Sequence, residues 1–264
     1  MLKRRLMRFI VVLLRLLSSV DLRIARLIEV EVNRIQGKGG GELTVEQEAR
    51  IALDFLGHAD SENLVVFDVG ANQGLYTEAI LSLAPQAKIF AFEPSSSARA
   101  VLERKFHGDE KIEVIPSALG ESIASAELWS DVPGSGLASL TKRRLDHFGI
   151  DFNYSERIEV TTLDSFINSV GIVPDILKMD VEGHELSVLK GGLANLKKIR
   201  VIQFEFGGCN IDTRTFFQDF WYTLTPLGFL IYRISPTGAI KIDSYSEEDE
   251  YFNTSNFIAS RLSN

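Results

Sequence analysis

One cysteine, Cys209, stands in a chain of 264 residues. A disulfide framework is therefore excluded, and so is a zinc site built from cysteines; a reducing compartment is compatible with this usage. No apolar run approaches the roughly 20 residues that a bilayer crossing needs. The stretch Phe9 to Leu14 is stopped by Arg15 before Leu16 and Leu17. A basic start and a short apolar centre fit a signal peptide, but Arg15 lies in that centre and no clear small-x-small cleavage site follows, so a cleaved signal is not expected. Positive charge is also short. The net charge is -8 and the pI is near 5.2, which disfavours nucleic acid as the main partner. The phosphate-cradling G-x-G-x-x-G is missing, which disfavours a nicotinamide-dependent enzyme. There are no internal repeats and no low-complexity tract beyond a short glycine run.

Apolar residues make up 45% and charged residues 24% of the chain, a normal balance for a globular core. The length suits one large α/β domain with a small appendage. Charge is unevenly placed: residues 1–36 hold eight basic residues against Asp21, Glu29 and Glu31, a net +5 that leaves -13 for the remainder. Residues 1–42 therefore read as a basic, amphipathic helical extension. The extension ends in the linker Gln36-Gly37-Lys38-Gly39-Gly40-Gly41. Two readings stay open for it. It packs on the α/β domain or a partner subunit, or it lies at a membrane surface with Phe9, Ile10, Leu13, Leu14 and Leu17 in the acyl boundary and its Lys and Arg residues (Lys3, Arg4, Arg5, Arg8, Arg15) at anionic headgroups. The expected location is the cytoplasm, or the periphery of a membrane's inner face.

From residue 43 to 264 strands and helices alternate, which implies a mostly parallel sheet with helices on both faces. Strands are expected at Leu64–Val69, Lys88–Phe92, Ile112–Pro116, Asp175–Met179, Val201–Phe206, Phe229–Ile234 and Asn256–Ser260. Helices are expected from Val45 towards Phe55 with Thr44 as cap, over Tyr76–Leu83, Ser95–Phe106 and Glu185–Leu193, the last closed by Gly191-Gly192. The aromatic set Phe216, Phe217, Phe220, Trp221 and Tyr222 follows one helix. Residues 121–164 break the rhythm. Ser125–Trp129 and Ile158–Thr162 read as paired edge strands, and the long loop between them reads as an acceptor-side lid or a solvated insertion.

The first strand ends as Val65-Val66-Phe67-Asp68-Val69-Gly70-Ala71-Asn72-Gln73-Gly74-Leu75-Tyr76. A carboxylate at a strand tip repels pyrophosphate and attracts cationic or hydroxyl groups. S-adenosylmethionine, with its ammonium, sulfonium and ribose diol, fits that tip. Gly70 and Gly74 permit a tight turn against the ligand; Asp68 is placed to hold the ammonium, directly or through water, and Asn72 to position the carboxylate. Glu93, at the tip of the second strand in Phe90-Ala91-Phe92-Glu93-Pro94, is placed to hold a ribose diol as acids do in dinucleotide folds. Ser117-Ala118-Leu119 falls where an adenine would lie. Tyr76, Pro94, Ser95 and Asp180 complete the expected cofactor-binding set.

A second motif, Ile176-Leu177-Lys178-Met179-Asp180-Val181-Glu182-Gly183-His184-Glu185, places four ionisable groups just beyond another apolar strand, as chemistry requires. With Asp68 to Thr77, Glu93-Pro94, Thr162-Leu163-Asp164 and Leu189-Lys190-Gly191, it resembles the FkbM family of S-adenosylmethionine-dependent methyltransferases over roughly residues 60 to 260. The resemblance implies a class I, Rossmann-like three-layer sandwich with a seven-stranded sheet whose last strand is antiparallel. It also implies O-methylation of a hydroxyl on a sugar, glycan or secondary metabolite. The expected catalytic residues are His184, Asp180, Lys178 and Glu182. His184 is the first choice as base because its ordinary pKa suits neutral pH, and Asp180 is the alternative. Asp180 and Glu205 are also placed to hold a divalent cation, since oxygen ligands favour magnesium or calcium. A contrasting reading, a non-catalytic cofactor-binding scaffold on a membrane-associated assembly, has the intact acid set against it.

Overall fold

The computed structural model describes residues 8–16, 22–39, 43–57 and 63–261. Expectations resting on Lys3, Arg4, Arg5, Leu17, Asp21, Gly40 and Gly41 lie outside the described residues. Residues 8–16 are helical (α1) and are followed by α2 (Leu22–Ile35), which buries none of its residues. Phe9, Val12, Leu16, Leu22 and Leu27 are all more than half exposed. Among the described residues no helix is long and apolar enough to cross a membrane. The segment after α2 docks on the domain: Lys38 Nζ donates to Glu248 O at 3.1 Å, and Gly39 N to Ser255 Oγ at 3.4 Å.

Thr44 starts α3 (Val45–Asp54) with a reciprocal cap, its hydroxyl accepting from Gln47 N while Gln47 Oε1 accepts from Thr44 N. Such a pair satisfies two of the donors that a helix start leaves open. Then come β1 (Val65–Val69), α4 (Leu75–Leu83), β2 (Lys88–Phe92), α5 (Ser96–Lys105) and β3 (Ile112–Ile115). After the small strands β4 (Ala118–Leu119), β5 (Ala124–Ser130) and β6 (Tyr154–Thr161), the alternation resumes with α6 (Leu163–Val170), β7 (Ile176–Met179), α7 (Glu185–Lys190), β8 (Val201–Phe206), α8 (Cys209–Thr213) and α9 (Phe217–Leu224). The chain finishes with β9 (Leu230–Ser235), β10 (Gly238–Ile242) and β11 (Ser255–Ser260).

The main sheet runs β10-β9-β11-β8-β7-β1-β2-β3. Strands β8, β7, β1, β2 and β3 are parallel to one another, and β11 is antiparallel to both β8 and β9. The class I methyltransferase architecture and the antiparallel last strand both stand. The count of seven strands is corrected to eight, because Ser235–Gly238 turns the chain back and adds β10 antiparallel to β9. Its pattern Gly238-Ala239-Ile240-Lys241-Ile242 leaves Ile240 exposed at an edge, so it carries no buried apolar run.

Period-two alternation sends the apolar residues of the central strands to both faces of the sheet. Phe67, Phe90, Leu177, Ile202 and Phe204 point to the face covered by α6, α7 and α9. Val66, Ile89, Ile176, Val201 and Ile258 point to the face under α3 and α4. The two expected strands do pair, with Ala126 opposite Ile158, but residues 125–129 lie opposite 155–159 because β6 starts at Tyr154 rather than Ile158. These strands do not lie at an edge of the main sheet, however. With β4 they make a separate sheet in the order β4-β6-β5, and Thr162 caps α6 by accepting from Ser165 N.

Candidate functional site

A cavity of about 290 Å³ opens at the carboxyl ends of β1, β2 and β7, close to the lower end of the roughly 300–1,000 Å³ of small-molecule pockets. Strand ends in an open parallel sheet are where ligands bind, because the helix starts and loops converge there. The first motif forms one wall. Gly70 N and Ala71 N both donate to Phe92 O, at 3.1 and 3.0 Å, locking the turn onto β2. Asn72 has φ +46°. Its N–H donates to Glu93 Oε2 at 2.7 Å, and its own Oδ1 accepts from Gln73 N at 2.8 Å. Glu182, across the cavity, has φ +51°. Two non-glycine residues with left-handed backbone lining one cavity are a concentration of strain, of order 1–3 kcal/mol each, of the kind found at functional sites.

Glu93 is buried, and its other oxygen accepts from Ser95 N at 2.7 Å. Burial raises its carboxyl to about 7, against the pull of these two N–H donors. Ser95 itself does not reach the cavity. Its hydroxyl donates to Glu156 Oε1, and Ser96 N and Oγ donate to Glu156 Oε2, so β6 is tied to the start of α5. Pro94, Ala118 and Leu119 line the cavity, whereas Ser117 stands off it.

Asp68 departs from the expected role. It is fully buried and off the cavity wall. Oδ2 accepts from Thr77 Oγ1 at 2.8 Å, and Oδ1 lies 3.2 Å from Lys178 Nζ. Lys178 sits directly opposite Asp68 on the neighbouring strand. Its Nζ also approaches Gly70 O at 3.3 Å and Asp180 Oδ2 at 3.6 Å. Burial alone would lower the Lys178 ammonium, but Asp68 and Asp180 hold it raised. Lys178 is thus a cation shared between both motifs. Tyr76 lies on the wall with its hydroxyl committed to Gln203 Oε1 at 2.8 Å.

Asp180 is at the tip of β7 with its side chain 44% exposed. Glu182 pairs with the Arg143 guanidinium, which also approaches Asp212 Oδ2 at 3.5 Å. Burial first and Asp180 second raise Glu182 to about 7 despite that arginine. His184 stands at the start of α7, and its side chain caps nothing. Its Nε2 lies 2.9 Å from Thr141 Oγ1. Burial lowers its pKa to about 4, so the ring is neutral at neutral pH and a weaker base than its ordinary value implied. Glu185 accepts from Val181 N and Gly183 N on one oxygen while the other has no partner, and burial raises it to about 8. Glu205 is off the cavity wall and pushed well up by burial and by Asp180 and Glu182. Among the described residues no group of three or more His, Cys, Asp and Glu side chains is placed to hold a metal ion, and Glu205 stands off the cavity that Asp180 lines. Cys209 is buried, as an inert apolar residue would be, and burial pushes its thiol up.

Three contributors carry no signal within the two motifs. Residues 135–141 cover the cavity: Asn72 Nδ2 donates to Ser135 O at 3.4 Å and Ser139 Oγ to Glu182 O at 2.8 Å. Arg143 lies in the basic run Lys142-Arg143-Arg144. Glu48, on α3, lines the cavity as well; one turn after Val45 and next to the buried Ala49, it is an acid on an otherwise inward helix face.

These raised carboxyls set a pH dependence. A carboxyl whose folded pKa lies above its unfolded value stabilises the fold at low pH, and that contribution is lost as pH rises through the folded pKa. Glu48, Glu93 and Glu182 at about 7 and Glu185 at about 8 all act in this sense. His184, lowered, opposes them only below its unfolded value near 6.5. The ligand-free protein is therefore expected to melt several degrees lower at about pH 9 than at about pH 7. Thermal unfolding followed by circular dichroism checks this, and an equal or higher midpoint at pH 9 would contradict the burial of these acids.

A family model described as the Methyltransferase FkbM domain matches residues 68–231. The 2-O-methyltransferase NoeI of Sinorhizobium fredii is 27% identical over 155 residues, covering 54% of this chain and 63% of that protein. The hexuronic acid methyltransferase AglP of Haloferax volcanii is 31% identical over 147 residues, covering 54% of this chain and 56% of its own length. The chain thus spans less than two thirds of either relative. Among solved structures, an rRNA methylase from Streptococcus thermophilus superposes with a TM-score of 0.47 at 11% identity, covering 85% of this chain and all of that one.

Proposed function

The chain belongs to the FkbM methyltransferase family, whose methyl donor is S-adenosylmethionine, and on that premise we propose that it methylates a hydroxyl oxygen of a sugar or glycan. The observation that carries the reading is the convergence of Gly70–Gln73, Glu93 and Asp180 on one cavity, while Gly74 stands off it against Leu102 and Phe106. The residues present suit the donor: a glycine turn for close approach, an acid at the β2 tip for a diol, and small Ala71 and Ala118 side chains beside a flat ring. The names of NoeI and AglP, which are those of a 2-O-methyltransferase and a hexuronic acid methyltransferase, favour a carbohydrate hydroxyl as acceptor.

The bound donor supplies a methyl group on a sulfonium, whose C–S electron pair departs with the sulfur as the acceptor oxygen bonds to carbon. The protein's part is alignment, which supplies roughly 7–11 kcal/mol in favourable cases, and removal of the hydroxyl proton. Asp180 is the group we assign to the proton. It is the partly exposed carboxylate at the β7 tip, oriented by Lys178, whereas His184 is engaged with Thr141 and weakened as a base. Residues 135–141 exclude water from above.

The test is incubation of the full chain with methyl-labelled donor and glycans bearing hexuronic acids or hexoses, with mass spectrometry of the products. Transfer of label to a carbohydrate oxygen is expected. Asp180→Asn should lower kcat by about 10²–10⁴-fold, the usual worth of a positioned acid or base, while S-adenosylhomocysteine still binds. Transfer of label to nitrogen or carbon atoms alone would overturn the oxygen assignment.

A further inference from the structure

We infer that Glu48 supplies the carboxylate that receives the ammonium of the cofactor's methionine portion. This rests on the reading of the cavity as an S-adenosylmethionine site. It concerns a residue upstream of the matched domain, which begins at Asp68.

The argument runs by elimination and then by position. Four carboxylates line the cavity: Glu48, Glu93, Asp180 and Glu182. Glu182 is neutralised by Arg143, and Asp180 has Lys178 at ion-pair distance. Glu93 spends an oxygen on each of two backbone N–H groups, at the adenosine end beside Ala118 and Leu119. Asp68, the acid first expected here, is closed off behind Lys178 and Thr77. Glu48 differs from all of these. Its partners are neutral amides, Asn256 Nδ2 at 2.9 Å on Oε1 and Gln203 Nε2 at 3.4 Å on Oε2, and no described cation lies at ion-pair distance from it. Each oxygen keeps a lone pair for a further donor. Burial first and then Asp180 raise its carboxyl to about 7, against the pull of Lys178, which lies beyond ion-pair distance, and of the Asn256 amide.

Position agrees. The strand order places β7 two steps from β2, about 10 Å at the usual spacing between strands. A ribose at Glu93 directs the amino-acid tail across the Gly70 turn towards Lys178 and Asp180. Glu48 comes down over that end from α3. The amides that hold it come from β8 and β11, and Gln203 in turn accepts from Tyr76 on the cavity wall. The acid is therefore fixed in place before any ligand arrives.

Calorimetry on the full chain separates the alternatives, with S-adenosylhomocysteine and with 5′-methylthioadenosine, which lacks the amino-acid tail. Wild type is expected to bind both. Glu48→Gln should weaken S-adenosylhomocysteine by about 10–100-fold, the worth of a charge-assisted hydrogen bond, and leave 5′-methylthioadenosine within about twofold. Glu48→Asp, which keeps the charge but withdraws it, should fall between. Unchanged S-adenosylhomocysteine affinity in Glu48→Gln overturns the inference, as does equal weakening of both ligands, which marks a structural role. A wild type that binds neither ligand overturns the cofactor reading along with it.

Discussion

Lys178→Met is expected to destabilise the protein by about 3–5 kcal/mol, the usual cost of leaving one member of a buried ion pair without its partner. Asp68 is fully buried and Lys178 nearly so. Without the ammonium, Asp68 keeps only the Thr77 hydroxyl, a neutral donor that cannot balance a carboxylate in a low-dielectric interior. The methionine keeps the lysine's length, so the loss is electrostatic and includes the ammonium's place over the Tyr76 ring. Adding Asp68→Asn removes the orphaned charge, and the double variant should recover most of the loss. Urea unfolding of the two single variants and the double variant gives the coupling directly. A single Lys178→Met variant within about 1 kcal/mol of wild type would mean that Asp68 is neutral or solvated in the fold.

That ion pair also shows where reading the sequence stops. The acids at strand tips were legible because an apolar run followed by Asp68 or Asp180 has few structural explanations. Their partners were not. Lys178 reaches Asp68 only through the β1–β7 register, which aligns residues 110 positions apart. From local spacing alone Lys178 reads as a catalytic group beside Asp180 and Glu182, and Asp68 as a ligand contact. Glu48 was invisible for a related reason: helix periodicity shows that α3 turns a face inward, but not that one acid on that face overhangs a cavity made by residues further on. The reading of residues 121–164 left open a lid or a solvated loop. The contacts that fix this segment beside the cavity are single polar ones, Ser139 to Glu182 and Glu156 to Ser95 and Ser96, and none of these follows from composition.

Gly70→Ala is expected to be nearly as damaging, and for a reason that links the two motifs. Gly70 has φ +79°, and a Cβ there would lie 1.9 Å from the carbonyl oxygen of Asp180. The left-handed backbone costs an alanine about 1–2 kcal/mol. The contact is worse, because the obstacle is main chain. Asp180 N donates to Val69 O at 3.0 Å and Gly70 N to Phe92 O at 3.1 Å, so neither segment can retreat without breaking the parallel ladder at the cavity floor. Overpacking of this kind adds roughly 1–3 kcal/mol, for about 2–5 kcal/mol in all. Gly149 supplies the control. Its φ is +69°, but nothing lies within 4 Å of the position a Cβ would take. Gly149→Ala should therefore cost only the backbone share, about 1–2 kcal/mol. Equilibrium unfolding of both variants isolates the steric part as their difference. S-adenosylhomocysteine binding should be lost in Gly70→Ala and kept in Gly149→Ala. If the two alanines cost the same, the backbones of the first and second motifs do not touch, and the geometry that aims Asp180 across the glycine turn would have to be abandoned.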